Sequence, residues 1–259
     1  MKKPGNDILL PFGFLILLLL IWHFFVAGFQ VAFWILPSPL AVLRVFFEHY
    51  ELLWFHLKYT IMASLAGLGL SLVIGIFTAI LMDVSKPFRQ IIYPYLIVSQ
   101  TVPIIAIAPL LIIWFGYGIS AKIFAVILIC FFPIALNLYD GFRQVLPEQI
   151  RLLRSMGATN WKIFRHLKMP ASLPNLFTGL KLSATYSVMG AVIGEWLGGY
   201  AGLGIYMTRA AKSFRTDHVF ALIFTIVGLS ILLYGVVVLL ERYLLSWQFA
   251  RVDEYEEPY

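Results

Sequence analysis

Residues 147–174 read PEQIRLLRSMGATNWKIFRHLKMPASLP, a polar interruption between long apolar runs. Arg151, Arg154, Lys162, Arg165 and Lys168 outnumber its single acid, Glu148. Neighbouring helices are usually joined by about 2–8 residues, and longer connections tend to carry function. This one also reads as folded. Ile150, Leu153 and Gly157 recur at helical spacing on one face, with Arg151 and Arg154 on another. Gly157 suits the left-handed C-terminal cap of a short helix. Thr159 or Asn160 then caps a second helix, in which Trp161, Phe164 and Leu167 share a face. Pro170 is expected to end it, because proline lacks an amide donor and disfavours helix before it. The product is an elbow with one apolar and one cationic face, which suits either anionic lipid or a protein partner.

Working outward, composition identifies the solvent. Of 259 residues, 61% are hydrophobic and 12% charged, more apolar surface than a soluble domain of this length can hide. Met1-Lys2-Lys3 precedes an apolar run from Ile8 to Ala27 that is too long for a signal-peptide core of about 7–15 residues, so it reads as a retained helix. Further spans are expected at 58–82, 91–115, 119–139, 176–197 and 218–240, each near the ~20 residues of a bilayer crossing. These runs do not alternate as barrel strands would, so the fold class is an all-α membrane protein of six transmembrane helices. With the amino terminus inside, thirteen of the nineteen Lys and Arg residues lie on cytoplasmic segments and six outside. The positive-inside rule favours that topology, with both termini and the elbow cytoplasmic.

Three further stretches stand out. In the external segment 29–57, Ser38 can cap and Pro39 can open a short interfacial helix, with Leu40, Leu43, Phe46 and Phe47 expected on its apolar side. The third span, from Ser99, Gln100, Thr101 and Pro103 through Pro109, loses backbone donors at both prolines. A freed carbonyl in hydrocarbon must be met by protein or water, so this span is expected to face a cavity. Glu195 is the one acid inside a predicted span away from the cytoplasmic end. It reads either as a translocation-pathway carboxylate or as an interfacial one. Ala66-Gly67-Leu68-Gly69 and Gly75 allow close helix approach, placing the second span inside the bundle.

Gly157, Leu167 ten residues later and Pro170 thirteen later resemble the "EAA" loop of permease subunits of binding-protein-dependent ABC importers. The run PIIAIAPLLIIWFGYG (103–118) is similar to the equivalent span of the nitrate/sulfonate/taurine type, and Tyr200-Ala201-Gly202-Leu203-Gly204 resembles that family's SGLG turn. The Glu-Ala-Ala positions hold Arg151, Leu152 and Leu153, a departure from the family pattern. The resemblance implies the type I importer permease fold, with the elbow as a cytoplasmic coupling helix. Arg151, Arg154, Met156, Gly157, Ala158, Thr159, Trp161, Phe164 and Pro170 would then meet an ATP-binding subunit. Ser99, Gln100, Thr101, Pro103 and Glu195 would belong to the translocation pathway. It divides the chain into an N-terminal helix with its external segment (1–57), a permease core of five transmembrane helices (58–245) and a cytoplasmic tail (246–259).

The implied partners are ABC ATP-binding subunits, an extracytoplasmic solute-binding protein, a second permease copy forming a homodimer, and membrane lipid; nucleic acid is not one. No G-x-x-x-x-G-K-[ST] occurs, so ATP and Mg belong to the partner subunit and this chain needs no cofactor of its own. No catalytic pair is seen at matched membrane depth, and no inverted repeat or set of buried ions marks a secondary carrier or channel. The stretch GEWLGGYAGLGIYMTRAAKSF (194–214) looks most like permeases for hydroxymethylpyrimidine-type thiamine precursors, with sulfonate, taurine or nitrate as the alternative.

Overall fold

The structure is a computed structural model, and it describes residues 6–196 and 198–246. The chain ends carrying Lys2, Lys3 and the acidic run 253–257 lie outside the described residues, as does Leu197. Helix α1 (Asn6–Gly28) covers the first expected span. Every side chain from Leu10 to Ile21 is exposed, as expected where lipid is the solvent. Its anchor is Trp22, whose ring lies 5.4 Å from Phe220 and 6.3 Å from Phe224.

Helix α2 (Pro39–Glu48) starts as expected, with the Ser38 hydroxyl accepting from the Ala41 N–H at 3.2 Å. Of its expected apolar side, Phe46 packs half-buried against the core. Val42 and Val45 enter the core, while Leu40, Leu43 and Phe47 are exposed. Both faces of this helix are apolar, so composition did not distinguish the protein-facing side from the other. Helix α3 (Tyr50–Val84) opens eight residues earlier than the span expected at 58, so the boundary drawn between 57 and 58 falls inside one continuous helix.

The buried side of α3 is built from small and weakly polar residues: Ala63, Ser64, Gly67, Ser71, Gly75, Thr78 and Ala79. They meet helix α6 (Ile119–Arg143), which follows α4 (Lys86–Ser99) and α5 (Ile104–Phe115). A Cβ on Gly67 would lie 2.4 Å from the Val126 Cβ, and one on Gly75 would lie 2.7 Å from the Ile134 Cγ2. Close backbone approach of this kind is how membrane helices gain packing energy when lipid offers no hydrophobic contrast.

The pairings Gly67–Val126 and Gly75–Ile134 share one offset, so α3 and α6 run parallel. Two parallel spans require the chain between them to cross the bilayer. The pair α4 and α5, bent by 105° at Gln100–Pro103, is therefore the third crossing, broken in its middle. Counting it with the five helices long and apolar enough to cross alone gives six.

After α6 come α7 (Pro147–Ser155), α8 (Asn160–Ile163), a π-helical turn (Phe164–Lys168) and α9 (Met169–Trp196). Helix α9 runs antiparallel to α6: Gly141 faces Ser172, Gly179 faces Pro133 and Gly194 faces Lys122. The cluster Met82, Ile134, Leu138, Tyr139, Phe142 and Leu176 ties α3, α6 and α9 together at the elbow end. Helices α10 (Leu203–Lys212) and α11 (Thr216–Leu244) complete the fold. Leu203, Tyr206, Ala221 and Leu222 pack with Val42 and Val45 at the opposite end.

Candidate functional site

The elbow begins where α6 ends. Helix α7 opens with Pro147 at its first position and Glu148 in the first turn, and carries Arg154 in the last, matching the helix dipole at both ends. Gly157 has φ +80°, its N–H donates to the Arg154 carbonyl, and the Ala158 N–H donates to the Leu153 carbonyl, both at 2.9 Å. This is a Schellman cap, and it requires the left-handed residue that glycine supplies. Thr159 caps α8 by accepting from the Lys162 N–H at 3.4 Å. The expected helix–turn–helix is present.

Its second half departs from expectation at Pro170. The helix does not stop there. From Asn160 it passes through the π-helical turn and continues to Trp196 as one span. In a regular α-helix the Pro170 ring would clash with the carbonyl four residues earlier. The wider turn just ahead of it accommodates that ring, with the Met169 N–H reaching back to the Phe164 carbonyl. The elbow is thereby joined directly to a span that packs along α6.

No residue of α7 is buried. Arg151, Arg154, Met156, Gly157, Thr159 and Trp161 are exposed, Ala158 and Phe164 half-buried, and Pro170 is exposed on the span itself. Met156 is 74% and Trp161 65% exposed, and Leu152, which the sequence did not mark out, is 62% exposed. Phe164 faces inward, with ring centroids 5.6 Å from Phe142 and 5.8 Å from Trp161, so the two aromatics have different surroundings. Beside them a cleft of about 440 Å³ separates the elbow from the end of α3, with Ile150, Arg154 and Trp161 on one side and Ile80 and Asp83 on the other. Lys168 spans to Asp83 at 2.7 Å, a link across 85 residues that no local pattern reveals.

At mid-membrane, Ser99, Gln100 and Pro103 line a cavity of about 390 Å³; Thr101 is exposed but outside its lining. The opposite wall is Phe132 and Pro133 of α6 with Tyr186 and Met189 of α9, none of them marked out by the sequence. Carbonyls loosened by the break are met by nearby side chains. Ser99 Oγ donates to Leu96 O at 3.0 Å, Gln100 Nε2 to the same oxygen at 3.3 Å, and Thr101 Oγ1 to Val98 O at 2.7 Å. No Lys, Arg, Asp or Glu lines this cavity.

Glu195 does not join it. Its side chain is 0% exposed and is bound at the far end of the bundle, outside the lining of that cavity. Oε1 accepts from the Thr60 hydroxyl at 2.9 Å, and Oε2 accepts from the Gly204 N–H at 2.8 Å. Thr60 in turn accepts from the Leu203 N–H at 2.9 Å, and His56 Nδ1 accepts from the Gly202 N–H at 3.0 Å. Lys122 Nζ donates to the Ala201 carbonyl. The turn that resembles SGLG is thus held by polar side chains of α3, α6 and α9, and Gly202 (φ +132°) has no room for a Cβ beside the Glu195 carboxylate. Three of the five histidines, scattered in sequence, gather here: Tyr206 stacks on His56 at 4.9 Å and its hydroxyl meets His218 Nδ1, while His49 lies 4.8 Å from His218. Burial pushes the Tyr206 phenol above its ordinary pKa. Arg209, Lys212 and Arg215 are exposed beside them.

Residues 71–245 match the family described as the binding-protein-dependent transport system inner membrane component. The chain is 37% identical over 247 residues to the formylaminopyrimidine transport permease protein ThiX of Halalkalibacterium halodurans, covering 95% of this chain and 98% of that one. It is 34% identical over 236 residues to the riboflavin transport system permease protein RibX of Chloroflexus aurantiacus, covering 90% and 88%. Among solved structures, an inward-facing MetNI methionine ABC transporter shares the fold with a TM-score of 0.54 at 18% identity, over 73% of this chain and 94% of that one. With its broken third crossing, small-residue seams and exposed elbow, the chain belongs to this inner-membrane family as a permease subunit of a binding-protein-dependent ABC importer.

Proposed function

We propose that this permease carries a small, uncharged, flat heterocycle of the hydroxymethylpyrimidine type, a thiamine precursor, delivered by a solute-binding protein. The observation that carries this reading is the mid-membrane cavity. Its polar groups are the neutral Ser99, Gln100 and Tyr186, and its apolar wall includes Phe132 and Met189. A ring with both donors and acceptors can exchange hydrogen bonds with such groups and lie against the aromatic wall. A sulfonate, taurine or nitrate anion entering the same cavity would lose hydration with no cation to meet it, which is costly in a low-dielectric site. The 37% identity to a formylaminopyrimidine permease supports the same class.

In this reading two copies of the chain form the pathway, with both termini and the elbow cytoplasmic. Met156, Trp161 and Leu152 dock in the ATP-binding subunit, flanked by Arg151 and Arg154. Exposed apolar side chains on a polar, extramembrane elbow are the surface expected of a protein contact. ATP and Mg are held by that partner. Closure of the ATP-binding pair moves the elbow, and the π-helical turn passes the motion directly into α9. The experiment is uptake of labelled aminopyrimidine into vesicles holding the complete importer, with riboflavin and taurine as competitors. Competition by unlabelled aminopyrimidine alone is the expected result. Uptake of taurine, with none of the pyrimidine, sinks the substrate assignment and leaves the family intact.

A further inference from the structure

We infer that the pocket between α4 and α6 at the elbow end of the bundle is a binding site for a phosphoryl anion, built around Arg89 and Arg143. The pocket has a volume of about 320 Å³ and is lined by Arg89, Gln90, Tyr93, Pro94, Tyr139 and Arg143. Two arginines therefore contribute to the walls of one small space, and those walls include no carboxylate residue. Among the described residues neither arginine takes part in an ion pair, and nor does Asp140, which lies beside Tyr139 in sequence but outside the lining.

Arg89 is fixed on this wall by its neighbours. Arg89 Nη1 donates to the Tyr139 hydroxyl at 3.2 Å, and Tyr139 is 2% exposed. The Tyr139 and Tyr93 rings lie 5.8 Å apart, so the tyrosine that holds Arg89 is itself packed. Arg89 is half-buried and sits near the amino terminus of α4, where the helix dipole adds positive potential; Arg143 is exposed in the last turn of α6. Two arginines on the walls of one pocket favour an anion beside them. Planar guanidinium forks match the oxygens of a phosphate, and Gln90 and Tyr93 supply neutral donors on the same walls.

The site lies at a membrane boundary, where the phosphodiester of an anionic phospholipid is abundant; basic pockets between membrane helices bind such headgroups. Free phosphate offers the same chemistry from solution. The mid-membrane cavity and this pocket share no lining residue, so anion binding here does not depend on which solute is carried.

The test uses the importer assembled with its ATP-binding subunits in nanodiscs of phosphatidylcholine, with or without phosphatidylglycerol. Native mass spectrometry counts retained phosphatidylglycerol, and thermal unfolding is followed with inorganic phosphate added. Wild type is expected to retain phosphatidylglycerol, and R89Q/R143Q to bind it on the order of tenfold more weakly. R89K/R143K, which keeps charge and loses the forks, is expected between them. Stabilisation of wild type by inorganic phosphate in pure phosphatidylcholine, abolished in R89Q/R143Q, assigns the site to the soluble anion. Wild type showing neither preference for phosphatidylglycerol nor a phosphate response overturns the proposal, and that arm needs no variant to fold.

Discussion

Glu195 shows how far a single residue's role depends on partners distant in sequence. Its carboxylate joins Thr60, 135 residues away, to the Gly204 amide, so it acts as a fastener of the turn between α9 and α10. Glu195→Gln turns one acceptor into a donor. The amide must then face either the Gly204 N–H, another donor, or the Thr60 hydroxyl, which already accepts from Leu203 and has room for only one of the two amide hydrogens. A buried polar group left unmatched costs about 1–3 kcal/mol. The expected outcome is a lower unfolding temperature with unchanged solute selectivity per assembled complex. Gly202→Ala should do worse, because its Cβ would stand 2.1 Å from the Glu195 carboxyl carbon. Altered selectivity in a fully stable Glu195→Gln importer would return this residue to the pathway.

Among the elements, the elbow combines local design with long-range attachment. A Cβ added at Gly157 would meet nothing within 4 Å, yet the residue sits at φ +80°, so its constraint is backbone geometry alone. Gly157→Val should therefore leave the bundle folded while imposing a strain of about 1–3 kcal/mol on the turn. That strain reorients α7 against α8 and displaces Met156 relative to Trp161. Co-purification with the ATP-binding subunit and ATP-driven uptake are expected to fall together, with thermal stability of the isolated permease retained. Full co-purification and wild-type uptake would mean the elbow is not the coupling element. The cap, the turn and both short helices were legible beforehand, because a cap is encoded within a few residues. The continuation through Pro170 was not, because one proline is compatible both with a stop and with a π-helical turn. Packing of Phe164 on Phe142 and the Lys168–Asp83 pair accompany the continuation.

At the scale of the whole molecule, the parallel α3–α6 pairing and the broken α4–α5 crossing require the elbow and the end of α3 to share one membrane face. The distribution of Lys and Arg favours the cytoplasm for that face. A cysteine at Asn160, which is exposed, should be labelled by membrane-permeant thiol reagents and spared by impermeant ones in intact cells. The native Cys130 is buried and should give little background. Labelling by the impermeant reagent would invert the topology.

What the sequence alone determined follows from strong, local signals. Apolar runs named the bilayer as solvent and counted the crossings; Gly157, Thr159 and Ser38 specified caps; glycines in α3 marked a helix inside the bundle. What only the tertiary structure decided concerns which side faces which. In water, a polar face and an apolar face tell outside from inside, but in lipid both the core and the surroundings are apolar. Hydropathy could not show that α2 buries Val42 and Val45 instead of Leu43 and Phe47. Nor could it show that Tyr186 and Phe132 complete the cavity begun by Ser99 and Gln100. The first assignment came from packing of α2 on α10 and α11, the second from the approach of α6 and α9 to the broken span, where side-chain size and backbone approach, not hydrophobicity, distinguish one face of a helix from another.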